Sequence, residues 1–348
     1  MRKSLSFALV ALLMLSSALA QNKAGTTVAQ FLKLGVGSRA AGMGEAFVAT
    51  SDDVSGLYWN PAGIAGTRGP QIMFQHNDWV SDISNDFIGV ISPLGGFGVV
   101  GVSMTSLSMG EMAVTTEEEP EGTGEMFSAS DMALGLTYAR ALTDRFSIGF
   151  NFKYIQEKIW HMSANGIAMD VGTLFRTQFH DMRLGMSISN YGSNMQLSGR
   201  DGLIYYDPAT ELEGNNPAIP AVYKLDTWPL PLLFRVGVAF DAYETDFMKL
   251  TVALDALHPN DNYESVNIGA ELAVANWVFL RAGWKSPFVE TNTRVEATEW
   301  DRREESLSFG GGVDMLLFGS GAGLKVDYAF SDFGRLQDVH RFTLGLYF

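Results

Sequence analysis

About fourteen segments of roughly ten residues alternate apolar with polar or small side chains, and this alternation limits the possible folds more than any other feature. Successive side chains of a β-strand point to opposite faces, so such alternation predicts a strand with one apolar and one polar face. In RFSIGFNFKYI (145–155), the Phe, Ile and Tyr side chains share one face, opposite Ser, Gly, Asn and Lys. The segments lie at 71–78, 86–93, 97–106, 129–140, 146–154, 166–175, 181–190, 231–240, 249–256, 265–273, 277–285, 306–315, 321–330 and 340–348.

The connections between these segments alternate in length. Every second one is short, as at 94–96 and 141–144, whereas the intervening ones are mostly longer, notably 107–128, 191–229 and 286–305. An even number of antiparallel strands with short turns at one end and long loops at the other is typical of outer-membrane barrels, whose short turns are periplasmic. The pattern therefore predicts a 14-stranded antiparallel outer-membrane β-barrel in contact with outer-membrane lipids, with both termini in the periplasm.

The alternative all-β fold is a secreted sandwich, whose apolar faces point inward and whose outer faces are freely charged. Here one face is continuously apolar, and the other carries Gly, Ser, Thr and single charges of both signs. A wet or plugged lumen holds such a mixture, whereas a dry core does not, because buried unpaired charges are costly. The charges on this face are Lys153, Arg183, Arg235, Lys249, Arg281, Lys285, Lys325 and Arg341, against Asp131, Asp170, Asp255, Glu271, Asp314 and Asp327.

The N-terminal segment has the features of a secretory signal peptide. Arg2 and Lys3 precede the apolar run 5–15, and Ala18-Leu19-Ala20 (18–20) forms an A-x-A-like cleavage site. We therefore expect residues 1–20 to be a cleaved signal peptide; the alternative is a buried N-terminal helix. Beyond it, no stretch of 18 consecutive apolar residues predicts a membrane helix.

Charge and cysteine content exclude several functions. The net charge of −15, or −17 without the signal, disfavours binding to nucleic acid. The chain has no cysteine, which removes disulfides, thiolate metal sites and cysteine nucleophiles. Its five histidines are scattered without metal-ligand spacing, so we expect no metal site, no cofactor and no enzymatic activity.

Residues 21–66 differ from the barrel segments, which we place at 67–348. Gly35, Gly37 and Ala40 fit a nucleotide-binding fingerprint, but no βαβ unit surrounds them. The segment instead predicts a plug: a short helix with Ser38 as its N-cap, a second turn from Asp52 or Asp53, and a turn at 60–63 with Gly63 in any left-handed position. Gly42 and Gly44 would allow close packing inside a narrow lumen.

This segment carries a family resemblance. The string GSRAAGMGEAFVA (37–49), the pair Asp52-Asp53 and YWNPAG (58–63), ahead of about fourteen strands, resemble the PorV/PorQ family of FadL-like outer-membrane proteins. The N-P-A part alone resembles the hatch motif of long-chain fatty acid transporters. The candidate plug or hatch residues are Arg39, Gly42, Gly44, Trp59, Asn60, Pro61, Ala62 and Gly63.

The resemblance implies two functional classes. PorV-like proteins serve the type IX secretion system of Bacteroidota, binding the translocon and collecting folded cargo for attachment at the cell surface. FadL-like transporters bind a hydrophobic ligand in the lumen and release it sideways into the bilayer. The loop 191–229 is rich in apolar residues, as expected of a loop that either folds over something or meets a partner; its candidate contacts are Tyr205, Tyr206, Tyr223 and Trp228.

Overall fold

The computed structural model describes residues 25–80, 83–179, 181–211, 218–287, 307–316, 321–333 and 338–348. The expected signal peptide at 1–20 and nearly all of the long connection 286–305 lie outside these ranges.

Fourteen long strands appear where alternation predicts them. They are β1 (Gln71–Asp78), β2 (Ile83–Pro93), β3 (Val99–Met109), β6 (Ala129–Ala141), β7 (Phe146–Ile159), β8 (Met162–Arg176), β9 (Arg183–Gly192), β13 (Leu233–Glu244), β14 (Met248–Pro259), β15 (Ser265–Val274), β16 (Val278–Pro287), β17 (Leu307–Leu316), β18 (Gly323–Asp332) and β19 (Asp338–Tyr347). Between them lie the short strands β4 (Met112–Ala113), β5 (Met126–Phe127), β10 (Ser198–Gly199), β11 (Leu203–Tyr206) and β12 (Ile219–Val222).

The fourteen long strands close into a barrel, which confirms the predicted architecture. Each pairs antiparallel with its neighbours along the chain, and β1 pairs with β19 from Gln71 opposite Tyr347 to Asp78 opposite His340. The ladder is continuous across β9 and β13, although about forty residues separate these strands in sequence. Closure leaves no free sheet edge, a condition for strands in lipid.

The wall is apolar outside and polar inside. On β1, Phe74 is exposed, whereas Gln75 and Asn77 are buried; on β19, Phe342 is exposed and Arg341 is buried. The same alternation runs around the barrel, and the inward face carries the mixed charges expected from the sequence. In a water-soluble sandwich the two faces would be reversed, so this distribution is that of a membrane barrel. Within the described residues, no helix is long and apolar enough to span a bilayer.

The lumen is filled by the N-terminal segment, which we call the plug (residues 28–67). It contains helix α1 (Ser38–Gly42), helix α2 (Gly56–Trp59) and two 3₁₀ turns, Gln30–Lys33 and Pro61–Gly66. Its apolar side chains, including Met43, Phe47 and Trp59, are almost completely buried.

A set of wall glycines allows the plug to approach the barrel backbone. A Cβ on Gly283 would overlap the backbone at Gly44, and one on Gly172 would overlap Asn60. These glycines lie on seven strands around the lumen, so the barrel wall is shaped to the plug rather than merely wide enough to hold it. The set comprises Gly149, Gly172, Gly185, Gly237, Gly269, Gly283 and Gly310.

Two details of the plug differ from the sequence expectation. Gly37, not Ser38, occupies the N-cap of α1, and Ser38 is the first helical residue, its hydroxyl within 2.8 Å of Thr343 Oγ1. Gly63 does not adopt a left-handed conformation; a Cβ there would collide with the carbonyl oxygen of Ser51. Both residues serve contacts across the fold, which a local turn pattern does not reveal.

Candidate functional site

Arg39 on α1 joins the plug to the barrel wall through a guanidinium shared by three carboxylates. Its Nε and Nη2 donate to the two oxygens of Glu271 on β15, both at 2.9 Å, and its Nη1 donates to Asp52 and Asp53 in the plug. Burial alone would lower the pKa of Arg39, but Asp52, Glu271 and Asp53 outweigh it and hold the pKa well above its ordinary value. Arg39 therefore stays charged and ties the plug to the barrel.

Arg281 extends this network along the wall. Its side chain is fully buried, and it pairs with Glu271 at 2.7 Å and with Asp327 at 2.6 Å. Glu271 thus accepts from one arginine of the plug and one of the barrel. Paired charges of this kind tolerate burial, whereas removal of one partner leaves the others uncompensated.

Glu45 forms a second connection, on the long-loop side of the plug. Its carboxylate accepts from Lys285 Nζ at 2.8 Å and lies 3.7 Å from Arg341 Nη1. Burial alone would raise the pKa of Glu45, but Lys285 and Arg341 hold it below its ordinary range. Glu45 has a positive φ of 62°, which is uncommon for a residue with a Cβ.

The 60–63 turn is anchored on both sides. The side chain of Asn60 accepts a hydrogen bond from the Ala62 amide, capping the 3₁₀ turn that begins at Pro61, and its Nδ2 donates to the carbonyls of Val48 and Thr173. Asn60, Pro61, Ala62 and Gly63 are all buried. The candidate hatch residues therefore pack against β7 and β8 rather than lining an open passage.

Trp59 lies at the centre of the plug. Its Nε1 donates to the Val36 carbonyl at 2.6 Å, and its ring packs edge-on against Phe47 and Tyr58. The guanidinium of Arg235, on β13, lies 5.1 Å from the Trp59 ring centroid. Gly42 and Gly44 lie against the backbone of β17 and β16, respectively. All eight candidate plug residues are thus held in one packed body.

A cavity of about 370 Å³ lies between the plug and the long-loop end of the barrel. Its walls come from the long-loop ends of the strands, with Arg235 on β13, Lys285 on β16 and Arg341 on β19, and from the plug residues Lys33 and Glu45. The sequence had placed these three wall cations on the inward face, but nothing in the alternation indicated that they meet around Glu45. The proximity of these three cations to Glu45 depends on the path that the plug takes through the lumen.

The long connection between β9 and β13 presents apolar side chains to solvent. Strands β11 and β12 pair as a hairpin from Leu203 opposite Val222 to Tyr206 opposite Ile219, separate from the barrel sheet. Tyr205 is 71% exposed and Tyr223 is 62% exposed, and Tyr206 and Trp228 are also exposed. Trp228 exchanges backbone hydrogen bonds with Met195, which joins the two ends of this connection to each other. Of the two expected roles for this loop, the exposure favours contact with a partner.

The outer wall contains an apolar groove of about 750 Å³ across β3, β6, β7, β8 and β9. Phe152, Ile167 and Tyr191, all well exposed, lie along it. Beside the groove the pairing of β8 with β9 is interrupted: Met169 faces Tyr191, whereas Val171 faces Ile188. Asn190 adopts a φ of 65° at this bulge, and its backbone N–H donates a hydrogen bond to the carboxylate of Asp170.

No cluster of three His, Asp or Glu side chains suited to a metal ion occurs among the residues that the structure describes. The described histidines hydrogen-bond to nearby side chains: His76 with Asp86 and Asp78, His161 with Asp201 and Arg200, His258 with Glu264, and His340 with Tyr328.

A known protein family matches this chain. The family described as "Type IX secretion system protein PorV" matches residues 17–196, which is just over half of the chain and includes the whole plug. The chain belongs to the PorV family. No curated protein sequence matches the chain.

Several solved structures share the barrel fold of this PorV-family chain. It is similar to the CymD monoaromatic hydrocarbon channel, with 10% identity, a TM-score of 0.54, and coverage of 90% of this chain and 97% of that one. It is also similar to the toluene transporters TbuX of Ralstonia pickettii and TodX of Pseudomonas putida, with 11% and 12% identity, TM-scores of 0.52 for both, and the same coverage. At such identities the similarity establishes the fold alone.

Proposed function

We propose that this PorV-family barrel is a binding and shuttle component of type IX-like protein secretion, and that it holds its partners at the long-loop end. The observation that carries the proposal is the exposed hairpin β11–β12. Contiguous exposed apolar side chains on a loop mark surfaces that meet another protein, and tyrosine is enriched at such contacts. A secretion translocon and folded cargo proteins are partners of the kind that this surface fits.

The filled lumen supports a role in binding rather than in conduction. Met43, Phe47, Trp59 and Ile64 are essentially inaccessible, and the plug packs against wall glycines on seven strands. A polypeptide could not pass through this barrel without displacing the plug. The contacts of the barrel surface, rather than a chemical reaction, then carry the function.

The proposal requires the long loops to face outward and both termini to lie in the periplasm. The natural absence of cysteine makes this orientation directly measurable. A Tyr205→Cys variant should react with a membrane-impermeant maleimide on intact cells. Phe97→Cys is the matched control, because Phe97 is also highly exposed but lies in the short turn between β2 and β3. It should react only after the cells are broken; the reverse pattern would refute the orientation.

The partner itself is tested by mild-detergent purification from the native membrane, with mass spectrometry of the proteins that co-purify. We expect a large translocon barrel or surface-anchored cargo with the unaltered chain, and loss of these proteins from the double variant Tyr205→Ser/Tyr206→Ser. Phe97→Ser should retain them. Equal recovery from both variants would show that the hairpin is not the contact surface.

Transport of a hydrophobic molecule is the second candidate function. The observation that favours it is the outer apolar groove beside the β8–β9 bulge, because a local interruption of strand pairing is where a wall could open toward lipid. Recovery of the barrel alone with a stoichiometric hydrophobic molecule in the same purification would support transport and count against the shuttle role.

A further inference from the structure

The lipid-facing side of β3, β6, β7 and β8 changes from apolar to polar toward the long loops. Neighbouring strands pair in register, so their outward side chains form rows across the wall. The two rows at the level of the outer groove are apolar: Val102, Leu136, Phe152 and Met169, then Met104, Leu134, Tyr154 and Ile167. The next two rows are mainly polar: Ser106, Met132, Gln156 and Asn165, then Ser108, Ser130, Lys158 and Ser163. Such a change marks the edge of the apolar band of a membrane barrel.

The outer groove therefore lies inside the apolar band, where the wall faces lipid tails. Its lining includes the exposed side chains of Leu136, Phe152 and Ile167, and its volume is about 750 Å³. An unfilled groove at this depth would lose dispersion contacts along one side of each of these side chains. The surrounding material at this depth is hydrocarbon, so the occupant that the membrane supplies is an acyl chain.

The polar rows beside the groove carry groups that suit a phosphate. Lys158 is exposed, forms no ion pair with any described residue, and has Ser130 and Ser163 as its cross-strand neighbours on the same face. Phosphate oxygens accept strong hydrogen bonds from an ammonium group, and hydroxyl groups add further donors. Lys158 lies four positions beyond the groove residue Tyr154, which is about 13 Å along the strand at about 3.3 Å per residue. Between them lies Asn165, whose Oδ1 accepts from Tyr154 Oη at 2.7 Å.

From this arrangement we propose that the outer groove binds one membrane phospholipid. One acyl chain lies in the groove, the ester groups lie beside Gln156 and Asn165, and the phosphate meets Lys158 with Ser130 and Ser163. The lipid is then a fixed part of the outer wall beside the β8–β9 bulge, and its headgroup distinguishes it from the hydrocarbon around the rest of the barrel. This inference does not depend on the secretion role.

The test titrates the full-length barrel in a non-ionic detergent with three lipids of identical acyl chains: phosphatidylglycerol, phosphatidylcholine and diacylglycerol. Native mass spectrometry counts the bound molecules. The first molecule of either phospholipid should bind at least about fivefold more tightly than diacylglycerol, because one basic residue at a membrane surface contributes about that factor. Equal affinity for all three lipids would overturn the proposal. So would a preference for phosphatidylglycerol alone, because that result would show charge attraction without recognition of the phosphate.

A headgroup variant tests the position of the phosphate. Lys158→Gln should weaken binding of both phospholipids by about fivefold and leave diacylglycerol binding unchanged. Arg140→Gln is the matched control, because Arg140 is also an exposed cation on the lipid-facing side of β6 but lies at the short-turn end. Its effect should stay within about twofold. Equal losses in the two variants would overturn the assignment of the phosphate to Lys158.

A groove variant tests the position of the acyl chain. Ile167→Trp fills the groove and should weaken binding of all three lipids by at least about tenfold, because each excluded methylene group loses its burial. Val326→Trp is the matched control, since Val326 is an exposed residue of β18, away from the groove. A hydrophobic molecule held in the lumen would be retained in Ile167→Trp, so this variant also separates the lipid on the wall from a transported ligand.

A protein could cover the groove instead. Loss of a co-purifying protein or of a dimer from Ile167→Trp, with lipid binding unchanged, would overturn the proposal and assign the groove to that protein. Heat-dependent gel mobility confirms that each variant forms a barrel.

Discussion

Replacement of Arg39 by methionine should release the plug while leaving the barrel closed. Methionine keeps much of the length of the arginine side chain but removes every hydrogen bond to Asp52, Asp53 and Glu271. None of the strand-to-strand hydrogen bonds involves this side chain. The free-energy cost should therefore appear in the opening of the plug.

The free-energy cost of Arg39→Met depends on how well each carboxylate is compensated once the guanidinium is gone. Removing one partner of a buried ion pair costs about 3–5 kcal/mol. Glu271 keeps Arg281 at 2.7 Å, and the side chain of Asp52 is 55% exposed and can rehydrate, so the lower end of that range applies. A cost of about 3 kcal/mol corresponds to about a hundredfold increase in plug opening, since each 1.4 kcal/mol is a factor of ten.

Hydrogen exchange with mass spectrometry measures this opening. Within and just after α1, the backbone N–H groups of Ala41 and Glu45 donate to the carbonyls of Gly37 and Ala40, respectively. In Arg39→Met these amide hydrogens should exchange about a hundredfold faster. Lys249→Met is the control, because Lys249 pairs with Asp241 away from the plug. If Arg39→Met leaves plug protection within twofold of the original, or lowers protection equally in all strands, the clamp interpretation is wrong.

Three further predictions use the same exchange measurement. Gly283→Ala should destabilise the plug by about 1–3 kcal/mol through overpacking against Gly44, whereas Gly311→Ala, which meets only Phe279 O at 3.9 Å, should be nearly neutral; equal effects would contradict the glycine-packing argument. Asn60→Ala should lose the acceptor for Ala62 and both donated hydrogen bonds, costing about 1–3 kcal/mol, while Asn60→Asp should cost more because it buries a carboxylate against the carbonyls of Val48 and Thr173; the reverse order would refute the anchoring role. Finally, the cations beside Asp53 and Glu45 outweigh burial and depress the pKa of both carboxyls, so plug protection, corrected for intrinsic exchange, should fall as the pH drops below about 4; protection that stays unchanged down to about pH 2 would contradict this assignment.

The barrel was predictable because strand alternation is a local signal. Asn151 lies between Phe150 and Phe152 in sequence, and its side chain points to the opposite face of the strand. This alternation is visible without any knowledge of the neighbouring strands. Because the period is two, a one-residue error in register would turn every apolar side chain inward, so the pattern also specifies the pairing. Strand positions from Gln71 to Tyr347 therefore followed from the sequence.

The interior was less predictable because its contacts join residues far apart in sequence. Arg39 and Glu271 are 232 positions apart, and Phe47 and Asp255 are 208 apart. The sequence marked Arg39 as a candidate plug residue and placed Glu271 on the inward face, but it gave no sign that the two pair. The left-handed conformation expected at Gly63 was wrong for the same reason: the contact of Gly63 with Ser51 depends on the folded path of the plug rather than on its neighbours in sequence.

The charges around Arg39, toward the short turns, bear on passage through the lumen. Among the described residues there, Arg39, Arg281 and Lys325 face four carboxylates, those of Asp52, Asp53, Glu271 and Asp327. An anion moving through the lumen would therefore meet both the packed plug and a group with excess negative charge, and both oppose its passage. The barrel should carry no anion current across a planar bilayer, and such a current would contradict the argument.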